Sequence, residues 1–224
     1  MDDSFAQTIE EQPVRVPAGP AWLDGNLSLP EQSRAVVLFA HGSGSSRHSS
    51  RNRYVARLLN EAKLATLLID LLTPHEEAID ARSAQLRFDI GLLAERVMDA
   101  TDWLMQFADT KQLPIGTFGA STGAAAALVA AAVRPDEIKA VVSRGGRPDL
   151  AGAALIHVQA PTLLIVGGND VQVIQLNREA FAQLRCEKQL AIVPGATHLF
   201  EEPGALDAVA RLAGDWFLSH LNAT

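Results

Sequence analysis

The pentad Gly119-Ala120-Ser121-Thr122-Gly123 sets one hydroxyl among small residues. It directly follows the apolar run Ile115-Gly116-Thr117-Phe118, and an alanine-rich stretch opens at Thr122. This is the strand–turn–helix setting of a nucleophile elbow, in which a tight turn lifts a serine clear of a sheet. The helix start behind it supplies free N–H groups and positive potential. A serine hydroxyl attacks an acyl carbon only when a base takes its proton. The spacing therefore predicts acyl transfer through Ser121, provided that a histidine and a carboxylate arrive at the same sheet edge.

Six histidines are available: His41, His48, His75, His157, His198 and His220. His198 is the expected base, because Pro194-Gly195-Ala196-Thr197-His198 follows the last apolar run and emerges where the elbow does. His220 falls in a C-terminal helix and reads as solvated. His157 precedes a strand and faces the wrong end, and His75 lies in a polar loop with nothing to orient it. A carboxylate must fix the tautomer of the base and stabilise its imidazolium. Asp170, in Gly167-Gly168-Asn169-Asp170, follows the run Thr162-Leu163-Leu164-Ile165-Val166 and meets that demand. Each of the three residues alone could be a turn residue; their order, each just past a strand, is the signal.

A tetrahedral intermediate needs two donors for its oxyanion. One is expected from the N–H of Thr122, the other from the loop His41-Gly42-Ser43-Gly44, with Ser43 N–H preferred. His41 then braces that loop and is not a base. A phosphate-loop reading of residues 42–47 fails, since its lysine and spacing are absent. Ser143-Arg144-Gly145-Gly146-Arg147 also follows a strand, so Arg144 and Arg147 are candidates to clamp a substrate carboxylate, or equally to pair with Asp149 or Asp170. The single cysteine, Cys186, reads as a bystander.

The elements that must position these groups follow from apolar patterning. Unalternated runs at 35–40, 65–69, 115–118, 140–142, 162–166 and 189–193 suit strands buried on both faces. Between them, Ile90, Leu93, Val97, Ala100, Leu104 and Phe107 recur at helical spacing. So do Leu206, Val209, Ala213 and Trp216, with Pro203 as a first-turn proline. Thr122 to Arg134 reads as a short helix stopped by Pro135. Residues 12–30, with Pro13, Pro17, Pro20 and a turn at Asp24-Gly25-Asn26, read as antiparallel edge strands. Strand–helix alternation predicts an α/β fold: a mostly parallel central sheet, helices on both faces, and an antiparallel N-terminal edge. Chemistry in such sheets gathers beyond the carboxyl ends of the strands.

Composition bounds the partners. The chain has 224 residues, 48% of them hydrophobic and 20% charged, which points to one globular domain over 1–224. Its net charge of −7 disfavours nucleic acid and anionic membranes, leaving a small-molecule substrate. One cysteine excludes a disulfide framework, and no metal or organic cofactor is needed for this chemistry. The start Met1-Asp2-Asp3-Ser4-Phe5 is acidic where a signal peptide would be basic, so a cytoplasmic location is expected. Oligomeric state stays open.

Taken together, His41-Gly42-Ser43-Gly44, the elbow at 119–123, Asp170 and His198 resemble the α/β-hydrolase superfamily. The compact length resembles its dienelactone hydrolase-like branch, from about Ala35 to Leu218. The resemblance implies Ser121 as nucleophile, His198 as general base and acid, and Asp170 as its partner. It also implies no cap domain, because only residues 144–161 separate two strands where such a lid would sit. Dienelactone hydrolase itself uses a cysteine where this chain has Ser121. It also carries a glutamate near the oxyanion loop, which residues 36–44 lack, so the lactone substrate does not transfer. The expected activity is hydrolysis of a small ester, thioester or lactone. Peracid or peptide chemistry on the same triad, or a catalytically idle binder of the same fold, are the rivals. The polar stretch Thr73 to Gln85 is expected as a loop, either over the pocket or simply solvated.

Overall fold

The computed structural model describes residues 10–221. The acidic start Met1–Phe5 lies outside the described residues. Among the described residues, eight strands form one sheet: β1 (Glu11–Ala18), β2 (Ala21–Ser28), β3 (Ala35–Ala40), β4 (Leu64–Ile69), β5 (Ile115–Ala120), β6 (Ile138–Arg144), β7 (Thr162–Gly167) and β8 (Lys188–Val193). Their spatial order is β1-β2-β4-β3-β5-β6-β7-β8. β1 and β2 are antiparallel to each other and β2 to β4, while every pair from β4 to β8 is parallel.

Six helices flank the sheet: α1 (Ser50–Glu61), α2 (Pro74–Ser83), α3 (Ile90–Gln106), α4 (Thr122–Val133), α5 (Val171–Gln183) and α6 (Ala205–His220). The unalternated runs of β3 to β7 are explained by two cores, whereas β8, expected as buried on both faces, is the edge strand and stays half-exposed, with Ile192 open to solvent. In β3, Val36, Leu38 and Ala40 enter one apolar cluster with α3, α4 and α5. Ala35, Val37 and Phe39 enter the other, with α1 and α6. Successive side chains of a strand point to opposite faces, so a strand covered on both sides must be apolar throughout. The connection from β6 to β7 carries only a 3-10 segment, Pro148–His157, whose Leu155 is fully buried. No helix among the described residues is long and apolar enough to cross a membrane.

Several local expectations change. The β1–β2 turn lies at Gly19-Pro20, with Gly19 at φ 57°, and Asp24-Gly25-Asn26 runs inside β2. Gly25 is there for contact: a Cβ on it would stand 3.1 Å from Val14 and 3.2 Å from Leu67. Pro13 and Pro17 sit in the outermost strand, where a missing donor costs no ladder bond inside the sheet. Thr73 to Gln85 is mostly helix rather than loop. Thr73 and Glu76 form a reciprocal capping box and Pro74 occupies the first turn of α2. Pro203 precedes the α6 cap residue, Gly204, instead of lying in the first turn. His220 is not solvated: its ring packs at a tilt against Trp216, 4.2 Å between ring centroids, and Nδ1 lies 2.8 Å from the Trp216 carbonyl.

The strand order reverses between β3 and β5, since β3 is followed by β4 on one side and β5 joins on the other. A crevice opens at the carboxyl ends of strands at such a switch point. The loop 41–44 and Ser121 both start there.

Candidate active site

Ser121 links β5 to α4 with φ 50° and ψ −121°, a conformation that side-chain-bearing residues rarely adopt. Its neighbours must be small because backbone closes in on every side. A Cβ on Gly123 would stand 2.2 Å from the Ala40 carbonyl oxygen, and one on Gly119 2.4 Å from Ala124 Cα. A Cβ on Gly42 would meet Ser121 Cβ at 2.9 Å. The elbow is thus packed directly against the loop that follows β3. The Thr122 N–H belongs to the first turn of α4, where amides lack an intrahelical acceptor. Ser43 lies in the turn closed by the Ser45 N–H on the Gly42 carbonyl, and among the described residues nothing accepts the N–H of Ser43.

His198 and Asp170 meet. His198 Nδ1 is 2.7 Å from Asp170 Oδ2, with the carboxylate largely covered and the imidazole partly open. The two loops are built as one unit. Asn169 donates from its backbone N–H to the Ala196 carbonyl and from Nδ2 to the Gly195 carbonyl. Gly167 lets them close, since a Cβ there would be 2.5 Å from the carbonyl oxygens of Ala196 and Thr197. The pair adjoins the elbow through β6. Ser121 N–H donates to the Arg144 carbonyl, and a Cβ on Gly145 would sit 3.1 Å from the His198 carbonyl. With Nδ1 donating to Asp170, Nε2 keeps its lone pair and can take a proton.

His41 is buried and fully engaged. The Leu71 N–H donates to Nε2 at 3.0 Å, so Nδ1 carries the proton and donates to the Gly42 carbonyl at 2.9 Å. Burial lowers its pKa from the ordinary 6.5, against smaller upward pulls from the Gly42 carbonyl and from Asp70 and Glu77. The neutral ring ties the loop 41–44 to the end of β4. Arg47 does the same by pairing with Asp70. A depressed folded pKa means that the unfolded chain binds more protons below pH 6.5, so His41 weakens the fold as pH falls through that value. We expect the urea midpoint of the wild type to fall from pH 7.5 to pH 5.5. In His41→Gln, whose amide oxygen can accept the Leu71 N–H without titrating, the fall should be shallower. Equal slopes would mean that the acid sensitivity lies elsewhere.

The arginines are otherwise occupied. Arg147 holds Asp149 through two bonds, of 2.9 and 2.8 Å. Arg144 is buried, donates to Asn52 Oδ1 at 2.9 Å and lies over the Phe200 ring, with no carboxylate partner among the described residues. Burial, together with the charge of Arg51, pushes its pKa down to about 10. His75 is exposed on α2, and His157 is exposed at the end of the 3-10 segment. Cys186 is half-buried 3.7 Å from Thr162 Oγ1, and burial raises its thiol pKa. Among the described residues, no group of three or more His, Cys, Asp or Glu side chains is arranged to hold a metal ion.

A cavity of about 450 Å³ adjoins the elbow. The loop 41–46 and Thr122 form one wall, and α2 with Arg87 forms the other. Neither Arg144 nor Arg147 lines it. Of the two places expected for Thr73 to Gln85, over the pocket or in solvent, the segment takes the first, but as the helix α2 and not as a loop. The one available signal was Thr73-Pro74-His75-Glu76, a helix start with a capping residue, a first-turn proline and the reciprocal glutamate.

Comparison with known proteins agrees with the fold. The model of the dienelactone hydrolase family matches residues 23–219. A crystal structure of dienelactone hydrolase from Anabaena variabilis superposes with a TM-score of 0.94 and 62% identity, covering 96% of this chain and 99% of that one. Est1E of Butyrivibrio proteoclasticus shares the fold at 16% identity, with a TM-score of 0.77, covering 92% of this chain and 98% of its own. A Mycobacterium tuberculosis protein provisionally named a phosphoribosyl transferase is 59% identical over 221 residues. The match takes in 99% of this chain and 49% of that protein, so the chain spans about half the length of the curated relatives it matches.

Proposed function

From the chain's membership of the dienelactone hydrolase family, which makes it a hydrolase acting on ester bonds, we propose that it cleaves its substrate through an acyl-enzyme on Ser121. In this reading His198 takes the Ser121 proton as the hydroxyl attacks the carbonyl carbon. The oxyanion is met by the N–H groups of Thr122 and Ser43. His198 then protonates the leaving group, and the same nitrogen activates a water to release the acid. Asp170 holds the imidazole in the one tautomer that leaves Nε2 free to accept. The family's archetype carries cysteine at the nucleophile position, and Ser121 needs its base more, because a thiol is already partly ionised near neutrality.

The observation that carries this reading is the strained backbone of Ser121, held between glycines that no larger residue could replace. Strain of about 1–3 kcal/mol persists only where the surroundings enforce it, and it concentrates at reactive positions. The name carried by the mycobacterial relatives belongs to proteins about twice as long, and no group described above favours phosphoribosyl transfer. Recognition of a substrate carboxylate by Arg144 or Arg147 has little support, since one is buried on Asn52 and the other is held by Asp149.

A fluorophosphonate probe should label one residue, Ser121, as mapped by mass spectrometry of the adduct. Label on another serine, or none on an enzyme that still hydrolyses p-nitrophenyl acetate, would remove Ser121 from the mechanism.

A further inference from the structure

The cavity beside the loop 41–46 is larger than acetyl chemistry needs, and its size falls within the range of ligand pockets, about 300–1,000 Å³. Its chemistry is selective. Leu71, Leu72 and Leu93 supply an apolar floor, while the other lining residues include serines, two imidazoles and carboxylates. The charges on this rim are not equally free. Asp80 is buried and receives the N–H groups of Leu86 and Arg87 at 2.7 and 3.1 Å, together with the Arg87 guanidinium. Arg87 also donates to the Asp80 carbonyl at 3.0 Å, so the one arginine on the rim among the described residues is spent. Arg47 nearby is likewise spent on Asp70.

Three kinds of group remain open. The Ser43 and Ser45 hydroxyls, the exposed His48 ring and the exposed Glu77 carboxylate line the cavity, and none has a side-chain partner among the described residues. Hydroxyls both donate and accept, a ring nitrogen of an imidazole can donate, and a carboxylate accepts strongly from O–H. A carboxylate or phosphate would meet Glu77 with no free arginine or lysine on the rim, among the described residues, to offset the repulsion. An alkyl group would leave the rim's polar atoms stripped of water and unpaired, which is costly.

We propose that this cavity seats an uncharged, polyhydroxylated part of the substrate, so that the physiological ester joins a sugar-like or polyol group to a small partner. The proposal rests on the acyl-enzyme reading above. It departs from the carboxylate clamp that Arg144 and Arg147 suggest in the sequence. Glu77 and Asp80 sit one turn apart on α2, with Asp80 locked by Arg87. The helix thus offers one free acceptor at a fixed place instead of two competing anions.

The test compares kcat/KM within two pairs of similar size. One pair is a monoacetylated methyl hexoside against cyclohexyl acetate; the other is methyl gluconate against methyl hexanoate. The hydroxylated ester should win by about tenfold or more in one pair, because a site built to bond hydroxyls rejects an analogue that lacks them. Two variants on the exposed face of α2 should collapse that ratio toward one: Glu77→Ala, which removes the free acceptor, and Ala81→Leu, which fills the cavity. Cyclohexyl acetates bearing a carboxylate or an ammonium group complete the panel. The proposal falls if both pairs show no preference, if a charged ester is the best substrate, or if the variants keep the wild-type ratio. Failure of the acyl-enzyme reading shows separately, as loss of fluorophosphonate labelling at Ser121 in an enzyme that still turns over.

Discussion

Replacing Ser121 with glycine is expected to abolish turnover while making the protein harder to unfold. The backbone at this position sits at φ 50° and ψ −121°. A residue with a Cβ adopts such a conformation at a cost of about 1–3 kcal/mol, whereas glycine adopts it without a steric penalty. Glycine gives back about 0.5–1 kcal/mol through the greater freedom of its unfolded chain. The net gain is therefore about 1 kcal/mol, or about 2–4 °C in Tm for a chain of this size. Little packing is lost, because the Ser121 side chain is only partly buried. Turnover should fall by about five to six orders of magnitude, as removal of a serine nucleophile does elsewhere. Ser121→Ala should match that catalytic loss without the stability gain, since alanine keeps the Cβ that causes the strain. Urea midpoints and p-nitrophenyl ester rates for both variants provide the measurement. A glycine variant no more stable than the alanine variant would mean that the elbow stores no strain.

The parts of this fold that could be read in the sequence are those where apolar patterning and structure coincide. Ala35–Ala40 is apolar throughout because its two faces enter two cores, so the run could be read as a buried strand to the residue. α3 was legible because Leu93, Val97, Ala100 and Leu104 form its buried stripe. α1 and α5 were not, and the reason is polar burial. α1 buries Asn52 and Asn60 beside Val55 and Leu59. Asn60 bonds the Leu64 carbonyl and Thr66 Oγ1, while Asn52 receives Arg144. α5 buries Asn177, which donates to the Gly146 carbonyl, between Val173 and Ala180. An asparagine in the middle of a buried face breaks the apolar period, although each of the three finds a hydrogen-bond partner once folded.

α2 escaped for a different reason. Its only buried residue is Asp80, so it has no apolar stripe, and its cap is the signal that identifies it. At the site itself, the positions past each strand were enough to bring Asp170 and His198 into contact, because loops at the carboxyl ends of parallel strands share one edge of the sheet. The partners of Arg144 and Arg147 were beyond sequence reading. Either could have faced the site, and which group a long side chain finds depends on packing that no spacing encodes.

Asp170→Asn is expected to lower kcat by about 10⁴-fold with the fold intact, the size of loss that follows when a supporting carboxylate becomes an amide. The carboxylate accepts the Nδ1–H of His198 at 2.7 Å and so dictates which nitrogen is bare. An asparagine at this position can turn its NH₂ toward Nδ1, which shifts the ring proton to Nε2 and leaves no base for Ser121. It also withdraws the negative charge that stabilises the imidazolium as it forms. Neither Asn169 nor Asp149 can stand in. The Asn169 amide is committed to the Gly195 carbonyl, and Asp149 is held by both arms of Arg147. Structure should be spared, because the Asp170 side chain makes no capping bond to α5 and asparagine is an equally good residue at a helix start. At most, about 0.3–1 kcal/mol of charge–dipole interaction is lost. The expected pattern is thus a large fall in kcat, a nearly unchanged KM and a urea midpoint close to wild type. If kcat fell by less than tenfold, some acceptor other than Asp170 would have to orient His198. If the midpoint collapsed along with the rate, the contact would be holding the β7 and β8 loops together, and its catalytic part would then have to be read from His198→Gln in the same assay.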